Sequence, residues 1–163
     1  MQCKSNQMTH AAADTQGRHA EWREHIIDSY AGIRRVIGAT KRIAVLGIKL
    51  GEHRPAFFVP EYAQSAGYEI VPVPVYYPEA TEMLGEKVYR TISSIPGAID
   101  MVNVFRRSAD IPAHLDDIIA KRPKSVWFQL GIVNDDAAER LAREGIDVVQ
   151  DRCLLVELRR IGR

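Results

Sequence analysis

RIAVLGIKLGEHRP, residues 42–55, carries the strongest structural pattern in the chain. Its apolar run ends at Gly47, which is typical of a strand that is buried on both faces of a parallel sheet. Pro55 suits the first turn of a helix, and the apolar residues that follow it continue to Gly67, a suitable helix end. The stretch therefore predicts a buried strand, a loop that begins at Gly47, and a helix over 55–66.

Strand and helix patterns alternate along the rest of the chain. Short apolar runs predict strands, and capped amphipathic segments predict helices. Because parallel strands are joined by right-handed crossovers, we expect helices on both faces of the sheet. The alternation predicts an α/β fold, a doubly wound parallel sheet of about five strands. The further strands are predicted at 68–73, 100–105, 125–130 and 146–149, the further helices at 108–122, 134–144 and 154–161, and a loop at 74–85.

The amino-terminal region differs in pattern from the body of the chain. Residues 1–20 are polar and aperiodic, which predicts a disordered tail. Apolar side chains from Trp22 to Ile37 recur with helical spacing, which predicts an amphipathic helix over 21–38. The ligand-binding domain is then expected over 39–163.

The composition is that of an ordinary globular protein with one domain. The chain has 163 residues, 46% of them hydrophobic, and its 22 Lys and Arg against 21 Asp and Glu give a formal net charge of +1. This balance excludes a general binder of nucleic acid or of membrane surfaces, although not a local basic patch. Cys3 and Cys153 are too few for a zinc site and indicate free thiols in a reducing compartment rather than a disulfide. With no apolar run of about 20 residues and no secretory leader, we expect a cytoplasmic protein.

A ligand is expected at the carboxyl edge of the sheet, where doubly wound sheets bind their ligands. Gly47 lets a ligand approach the backbone closely, and the amino end of the next helix favours a phosphate. Lys49 and Arg54 add donors to the same loop. The loop is neither G-x-G-x-x-G nor Walker A, since Lys49 and Glu52 stand where the former has glycines and no G-K-[ST] occurs. The pattern fits a phosphate site, and it fits equally a glycine that serves only a tight turn.

Two arginines follow the predicted strand at 100–105. Arg106 and Arg107 come directly before a predicted helix, where positive side chains are unfavourable, so the pair indicates that an anion completes the site. A salt bridge with Asp110, or plain solvation, is the alternative. At the next strand end, Gln129 can hydrogen-bond a ligand amide.

Two classes of enzyme are disfavoured. A NAD-dependent dehydrogenase usually has Asp or Glu at the end of its second strand, where this chain has Val73, Pro74 and Val75. No G-x-S-x-G elbow and no metal-binding motif occurs in the sequence. His53 alone among the histidines falls on the ligand side, and Cys153 is best explained as a small buried side chain. The sequence therefore contains no evident catalytic set.

A specific pattern is carried by the order and spacing of seven segments: IAVLG (43–47), HRPAFFVPEY (53–62), GYEIVPV (67–73), LGEKVY (84–89), DMVNVFRRS (100–108), WFQLGIVN (127–134) and DVVQDRC (147–153). Together they resemble the small stand-alone CoA-binding proteins, relatives of the CoA-binding domain of the succinyl-CoA synthetase alpha subunit. The resemblance implies a Rossmann-like fold with CoA across the carboxyl edge of the sheet. It does not imply a ligase reaction, because the family lacks the phosphohistidine and nucleotide-grasp parts of a synthetase.

The resemblance also implies which residues contact CoA. Two positions depart from the family pattern: Lys49 stands where Ser is frequent, and Val73-Pro74-Val75 stands where V-N-P is frequent. To the contacts that the resemblance implies we add Arg107, because it forms part of the arginine pair. We predict no metal ligand. The implied contacts are Gly47, Ile48, Lys49, Arg54 and Pro55 for the phosphates, Val73 and Pro74 for the adenosine, Phe105 and Arg106 for the pyrophosphate or pantetheine arm, and Gln129 and Gly131 further along.

The sequence favours a binding module for CoA or an acyl-CoA without catalysis of its own, and without a nucleic acid or membrane partner. One alternative is an enzyme that acts on an acyl-CoA or another nucleotide-type ligand, for example by thiol transfer at Cys153. Another is a regulatory or interaction subunit whose helix at 21–37 packs on a partner enzyme or a second copy of the chain.

The near-neutral net charge conceals a predicted basic edge. Near the expected ligand, five cations against two carboxylates give +3, while the rest of the chain carries −2. Such an edge suits one small polyphosphate ligand. The cations are Lys49, Arg54, Arg106, Arg107 and Arg152, and the carboxylates are Glu52 and Asp151.

Overall fold

A parallel sheet forms the centre of residues 21–163, the part of the chain that the computed structural model describes. The strands are β1 (Arg42–Leu46), β2 (Glu69–Val73), β3 (Glu82–Met83), β4 (Glu86–Lys87), β5 (Met101–Val104), β6 (Ser125–Phe128) and β7 (Asp147–Val149). Five of them pair in the order β2-β1-β5-β6-β7, all parallel, whereas β3 and β4 form a small antiparallel hairpin. The order confirms the predicted doubly wound sheet. The tail predicted over 1–20 lies outside the described residues.

Helices cover both faces of the sheet, as predicted. The α-helices of the described residues are α1 (Tyr30–Gly38), α2 (Pro55–Ser65), α3 (Leu115–Lys121), α4 (Asp135–Arg143) and α5 (Leu154–Arg160). Buried side chains of α1, α2 and α5 pack on one face with Trp127, and those of α3 and α4 pack on the other with Phe128. Side chains alternate along a strand, so these two neighbours in β6 are each fully buried in a different core. No described helix is long and apolar enough to cross a bilayer.

The helix predicted over 108–122 is wrong in its first half. Ser108–His114 is a 3-10 helix, and α3 begins only at Leu115. Pro112 lies inside the 3-10 segment, has no backbone N–H and would clash with the preceding turn of an α-helix. The chain therefore keeps the tighter pattern until the proline has been passed.

The helix predicted over 21–38 is also wrong at its start. Trp22–His25 forms a 3-10 turn, and the chain then runs extended, so that the Ile27 N–H donates to the Val148 oxygen at 2.8 Å. α1 follows Ser29, whose hydroxyl oxygen accepts a backbone N–H of the first helical turn at 3.1 Å. Ile26 and Ile27 are partly and fully buried because the extended segment lies against β7, whereas Tyr30, which fits the same spacing, is 47% exposed.

The turn after β1 brings Gly47 against the end of β5. Gly47 has a φ of +84°, and a Cβ added there would lie 2.7 Å from the Phe105 carbonyl oxygen. Real Cβ atoms essentially never approach that closely, so the position needs glycine for two reasons. Since β1 and β5 are the neighbours at which the strand order reverses, this contact lies at the point where doubly wound sheets bind ligands.

At the opposite edge of the sheet, Asp100 connects the beginnings of three strands. Its carboxylate accepts the backbone N–H groups of Lys41 and Arg42 at 3.0 Å each and pairs with Lys124 at 2.8 Å. Burial tends to raise the pKa of Asp100, but the hydrogen bonds from Lys124 and from the two backbone N–H groups outweigh it and hold the pKa below its ordinary value. The amino edge is therefore fixed by an ionised carboxylate.

We expect Gly47→Ala to lower the free energy of unfolding by about 3 kcal/mol, because a strained backbone and a clash with Phe105 act together. Gly67→Ala is the matched control, since Gly67 has a φ of +96° but no atom within 4 Å of an added Cβ. It should lose only about 1–2 kcal/mol for the backbone conformation. Urea unfolding measures both variants, and equal losses would contradict the close approach at Gly47.

We expect Asp100→Asn to destabilise the fold by about 1–2 kcal/mol at pH 7, because charged hydrogen bonds are lost. The folded pKa of Asp100 lies below the unfolded value of about 3.9, so its contribution is complete above that value and is lost as the pH falls through the folded pKa. The difference in stability between wild type and variant should therefore shrink between pH 5 and pH 2 in urea titrations.

The control for this variant is Asp116→Asn, whose exposed side chain pairs with Arg140. It should change stability by less than about 0.5 kcal/mol at pH 7. A stability difference for Asp100→Asn that stays constant down to pH 2 would show that the charge of Asp100 does not hold the amino edge.

Candidate functional site

A cavity of about 490 Å³ lies at the carboxyl edge, where β1, β5 and β6 end. We call it the edge cavity. The loops that follow these three strands and the first turn of α2 form its walls. Eight of the twelve residues predicted for the site line it: Lys49, Arg54, Pro55, Phe105, Arg106, Arg107, Gln129 and Gly131. Ala56, Ser108, Leu130 and Ile132 also line it, and the sequence had not singled them out.

The other four predicted residues do not line the edge cavity. Gly47 packs against Phe105, and Ile48 and Val73 are each 1% exposed, which leaves only their backbones for a ligand. Pro74 lines a second cavity of about 470 Å³ beyond the end of β2. Ile48 and Val73 therefore belong to the hydrophobic core beneath the strand ends rather than to the cavity surface.

Arg106 has the least satisfied side chain of the edge cavity. Its side chain is only 14% exposed, and its one ion pair, to the Asp110 carboxylate, is long at 3.4 Å. Among residues 21–163 its buried Nε has no hydrogen-bond partner. A buried donor without an acceptor costs free energy, which a bound anion would recover. The guanidinium carbon also lies 5.9 Å from the ring centre of Tyr76.

Arg107 forms a salt bridge with Asp110, which was the alternative to an anion site in the sequence analysis. Its side chain is 83% exposed, and its Nε lies 2.8 Å from the Asp110 carboxylate. This hydrogen bond raises the pKa of Arg107 and holds the pKa of Asp110 below its ordinary value. The two adjacent arginines therefore differ: one is buried with an unpaired donor, and the other is exposed and paired.

Lys49 and Arg54 add positive charge from the loop between β1 and α2. Within the described part of the chain neither forms a salt bridge. The Lys49 ammonium lies 5.5 Å from the ring centre of Tyr76, which is 53% exposed. Tyr76 therefore presents open aromatic surface beside the cations of the cavity. Tyr76 is not among the residues predicted for the site, although its place just after a strand end was a usable signal in the sequence.

Arg152 does not belong to the basic edge with which it was counted. Its guanidinium lies 3.4 Å from the Asp28 carbonyl oxygen and 3.9 Å from the Glu157 carboxylate, away from the edge cavity. Asp151 is also engaged, because its carboxylate accepts the Gly131 N–H at 2.7 Å. The cations that face the cavity come from the loops after β1 and β5.

The Gln129 amide is used within the protein. Its oxygen accepts the Leu154 N–H at 3.3 Å and the Asn103 side-chain N–H at 3.4 Å, and its nitrogen donates to the Cys153 sulfur at 3.3 Å. Asn103 is fully buried and was not singled out from the sequence. Cys153 is a free, half-buried cysteine that does not line the edge cavity. Gln129 therefore joins β6 to the start of α5.

The polar groups of the second cavity mostly hold the loop after β2. Asp117 accepts the backbone N–H groups of Ile92 and Ser93 at 2.6 and 2.9 Å, and Arg90 donates to the Tyr77 carbonyl at 3.0 Å. Burial, and then the positive charge of Arg106, hold the pKa of His114 below its ordinary value. Over residues 21–163 no three His, Cys, Asp or Glu side chains are grouped to hold a metal ion.

Comparison with known proteins gives relatives over most of the chain. The protein YneT of Bacillus subtilis is 38% identical over 128 residues, which are 78% of this chain and 93% of YneT. A solved structure from Thermus thermophilus has 34% identity and a TM-score of 0.76, and it covers 82% of this chain and 99% of its own. A hypothetical protein from Pyrococcus horikoshii has 30% identity and a TM-score of 0.75 over 82% and 92% of the two chains.

A more distant structure shares the fold. It is the dinucleotide-forming acetyl-coenzyme A synthetase of Candidatus Korarchaeum cryptofilum, at 20% identity and a TM-score of 0.60, covering 71% of this chain and 26% of the synthetase. The family model described as "CoA binding domain" matches residues 41–159, which include all five strands of the main sheet and the edge cavity. The chain therefore belongs to the CoA binding domain family.

Proposed function

We propose that the protein binds CoA in the edge cavity as a binding module, without catalysis of its own. The observation that carries this proposal is the buried Arg106 side chain, whose Nε has no partner among residues 21–163. Membership of the CoA binding domain family supports CoA as the anion that supplies the missing acceptor.

The arrangement of charge suggests where the phosphates of CoA lie. Lys49, Arg54 and Arg106 all line the edge cavity, from the loops after β1 and β5. Helix α2 begins there, and no side chain caps its amino end, so its dipole also favours a phosphate. A charge-assisted contact from a desolvated arginine is worth more than one made in bulk water. We therefore assign the phosphates to the loops after β1 and β5.

The edge of β2 fits CoA better than NAD. Val73, at the end of this strand, is followed by Pro74 and Val75, with no carboxylate for the ribose hydroxyls of a dinucleotide. Glu69 begins β2 at the opposite edge and pairs there with Arg42 at 2.7 Å. We assign the adenosine to the side of Pro74 and Tyr76, where an exposed ring lies beside two cations.

The setting we propose is a cytoplasmic protein that holds CoA, alone or as an acyl-CoA. The two cysteines of the sequence fit a reducing compartment. The segment over residues 22–38, α1 included, packs on its own sheet, since His25 and Arg35 both contact the Asp147 carboxylate, at 2.7 and 2.9 Å. A contact with a partner enzyme or a second copy would therefore use a surface other than the buried face of this segment.

We expect Arg106→Gln to weaken CoA binding by about 10- to 100-fold, because one charge-assisted contact with a phosphate contributes about 1.5–3 kcal/mol. Isothermal titration calorimetry with CoA measures the change. Arg159→Gln is the matched control, since Arg159 lies on α5 and stacks on Tyr62, away from the edge cavity. Its affinity should stay within about twofold of wild type.

The same titration with acetyl-CoA, NAD and ATP tests the choice of ligand. Tight binding of CoA and acetyl-CoA with weaker binding of NAD and ATP is expected. Saturable binding of NAD without binding of CoA would overturn the proposed function. An unchanged CoA affinity in a folded Arg106→Gln variant would remove Arg106 from the site.

We expect Cys153→Ser to bind CoA within about twofold of wild type, since the thiol lies outside the edge cavity. Neither protein should release CoA from acetyl-CoA or butyryl-CoA in a thiol-detection assay. Release by wild type that disappears in Cys153→Ser, with CoA binding retained, would favour the alternative of an enzyme with a cysteine nucleophile.

A further inference from the structure

The edge cavity has a cationic half and a neutral half. Its cations, Lys49, Arg54, Arg106 and Arg107, come from the loops after β1 and β5. The loop after β6 contributes Gln129, Leu130, Gly131 and Ile132, which carry no charge. Because the Gln129 amide is bonded within the protein, the surface that remains on this side is mainly backbone and aliphatic.

Two aliphatic side chains of this loop are exposed although the loop itself is fixed. Leu130 is 65% exposed and Val133 is 45% exposed. The Gly131 N–H donates to Asp151 at 2.7 Å, and the Ile132 N–H donates to the Gln129 carbonyl at 2.9 Å. These bonds fix the backbone that carries the two side chains, so their exposure is a property of the fold and not of a loose loop.

We propose that Leu130 and Val133, which we call the aliphatic strip, bind the acyl chain of an acyl-CoA. The inference rests on the proposed function, because the phosphates must lie at the cations for the other end of the ligand to reach the strip. Neighbouring strands are about 4.8 Å apart, so the ends of β1 and β6 are separated by about 10 Å across β5. An extended pantetheine arm is longer than this and carries the thioester to the loop after β6.

Three other exposed apolar residues near the site lie in the loops after β1 and β2, at the opposite side from the loop after β6. Leu50 follows Lys49 in the loop after β1 and is 46% exposed. Val75 and Tyr76 follow β2 and are 40% and 53% exposed. Tyr76 lies beside Lys49 and Arg106, two cations of the edge cavity, where a purine with its phosphates fits better than a hydrocarbon. The loop that carries the aliphatic strip has no charged side chain of its own, and the Asp151 carboxylate is bonded to its backbone at Gly131. The exposed aliphatic surface of the strip favours an acyl chain through the hydrophobic effect.

The test is a series of affinities of the full chain for CoA, acetyl-CoA, butyryl-CoA and hexanoyl-CoA. Full burial of a methylene group contributes about fourfold, and contact on one side about twofold. Wild type should therefore bind hexanoyl-CoA on the order of tenfold more tightly than acetyl-CoA. In the double variant Leu130→Ser/Val133→Ser this ratio should fall below about threefold. The ratio is the readout because Leu130 is also part of the cavity wall, so truncation alters the absolute affinities.

Two control variants separate the strip from other exposed apolar side chains. Val156→Ser removes a side chain on α5 that is 51% exposed, and Val75→Ser removes one at the β2 end. Both should retain the hexanoyl-to-acetyl ratio of wild type. Loss of the ratio in Val75→Ser, with the ratio kept in the double variant, would overturn the assignment and move the acyl chain to the opposite end.

The remaining outcomes distinguish this inference from the proposed function. Equal affinity of wild type for all four ligands would overturn the acyl site while leaving CoA binding intact. Failure to bind any of the four would overturn the proposed function and the acyl site together. A dimer in sedimentation that Leu130→Ser/Val133→Ser dissociates, with a flat chain-length series, would show that the strip contacts a second copy and would overturn the acyl assignment.

Discussion

The close approach of Gly47 to the Phe105 carbonyl is the constraint on which the site depends. It occurs where the order of the strands reverses, and it brings the loop after β1 against the loop after β5. Lys49 and Arg54 follow Gly47 in the chain, and Arg106 directly follows Phe105. A side chain at position 47 would push these loops apart and so separate cations that now line one cavity.

The two edges of the sheet use charge in opposite ways. At the amino edge, Asp100 pairs with Lys124, and Arg42 pairs with Glu69. At the carboxyl edge, Arg106 is largely buried with an unpaired Nε among the described residues. Pairing stabilises the strands where no ligand is needed, while the unpaired donor leaves free energy to be gained on binding. The Arg106 donor, unpartnered among residues 21–163, therefore lies at the edge where doubly wound sheets bind ligands.

The sheet, and the carboxyl edge at which the edge cavity lies, could be predicted because apolar runs indicate buried strands and glycines indicate turns. The burial and the partners of individual side chains could not be predicted, because they depend on residues that are close in space but distant in sequence. Arg106 and Arg107 are identical in type, yet one lies inward and the other pairs with Asp110. The position of Ile27 in the sequence fits an amphipathic helix as well as it fits the extended segment that contacts β7 in the structure. Tyr76 lies beside Lys49 and Arg106, which are distant from it in sequence, and the exposure of Leu130 is visible only in the folded chain.

Both outer strands of the sheet are blocked against further pairing. Ile26 forms a parallel bridge with Val148 and so covers the exposed side of β7. On the other side, Pro72 removes a donor from β2, and its carbonyl oxygen already accepts the Tyr89 N–H at 3.0 Å. An uncovered edge is a template for strand addition and aggregation. The protein is thereby protected from polymerising through its sheet, although the aliphatic side chains of Leu130 and Val133 are exposed at the carboxyl edge.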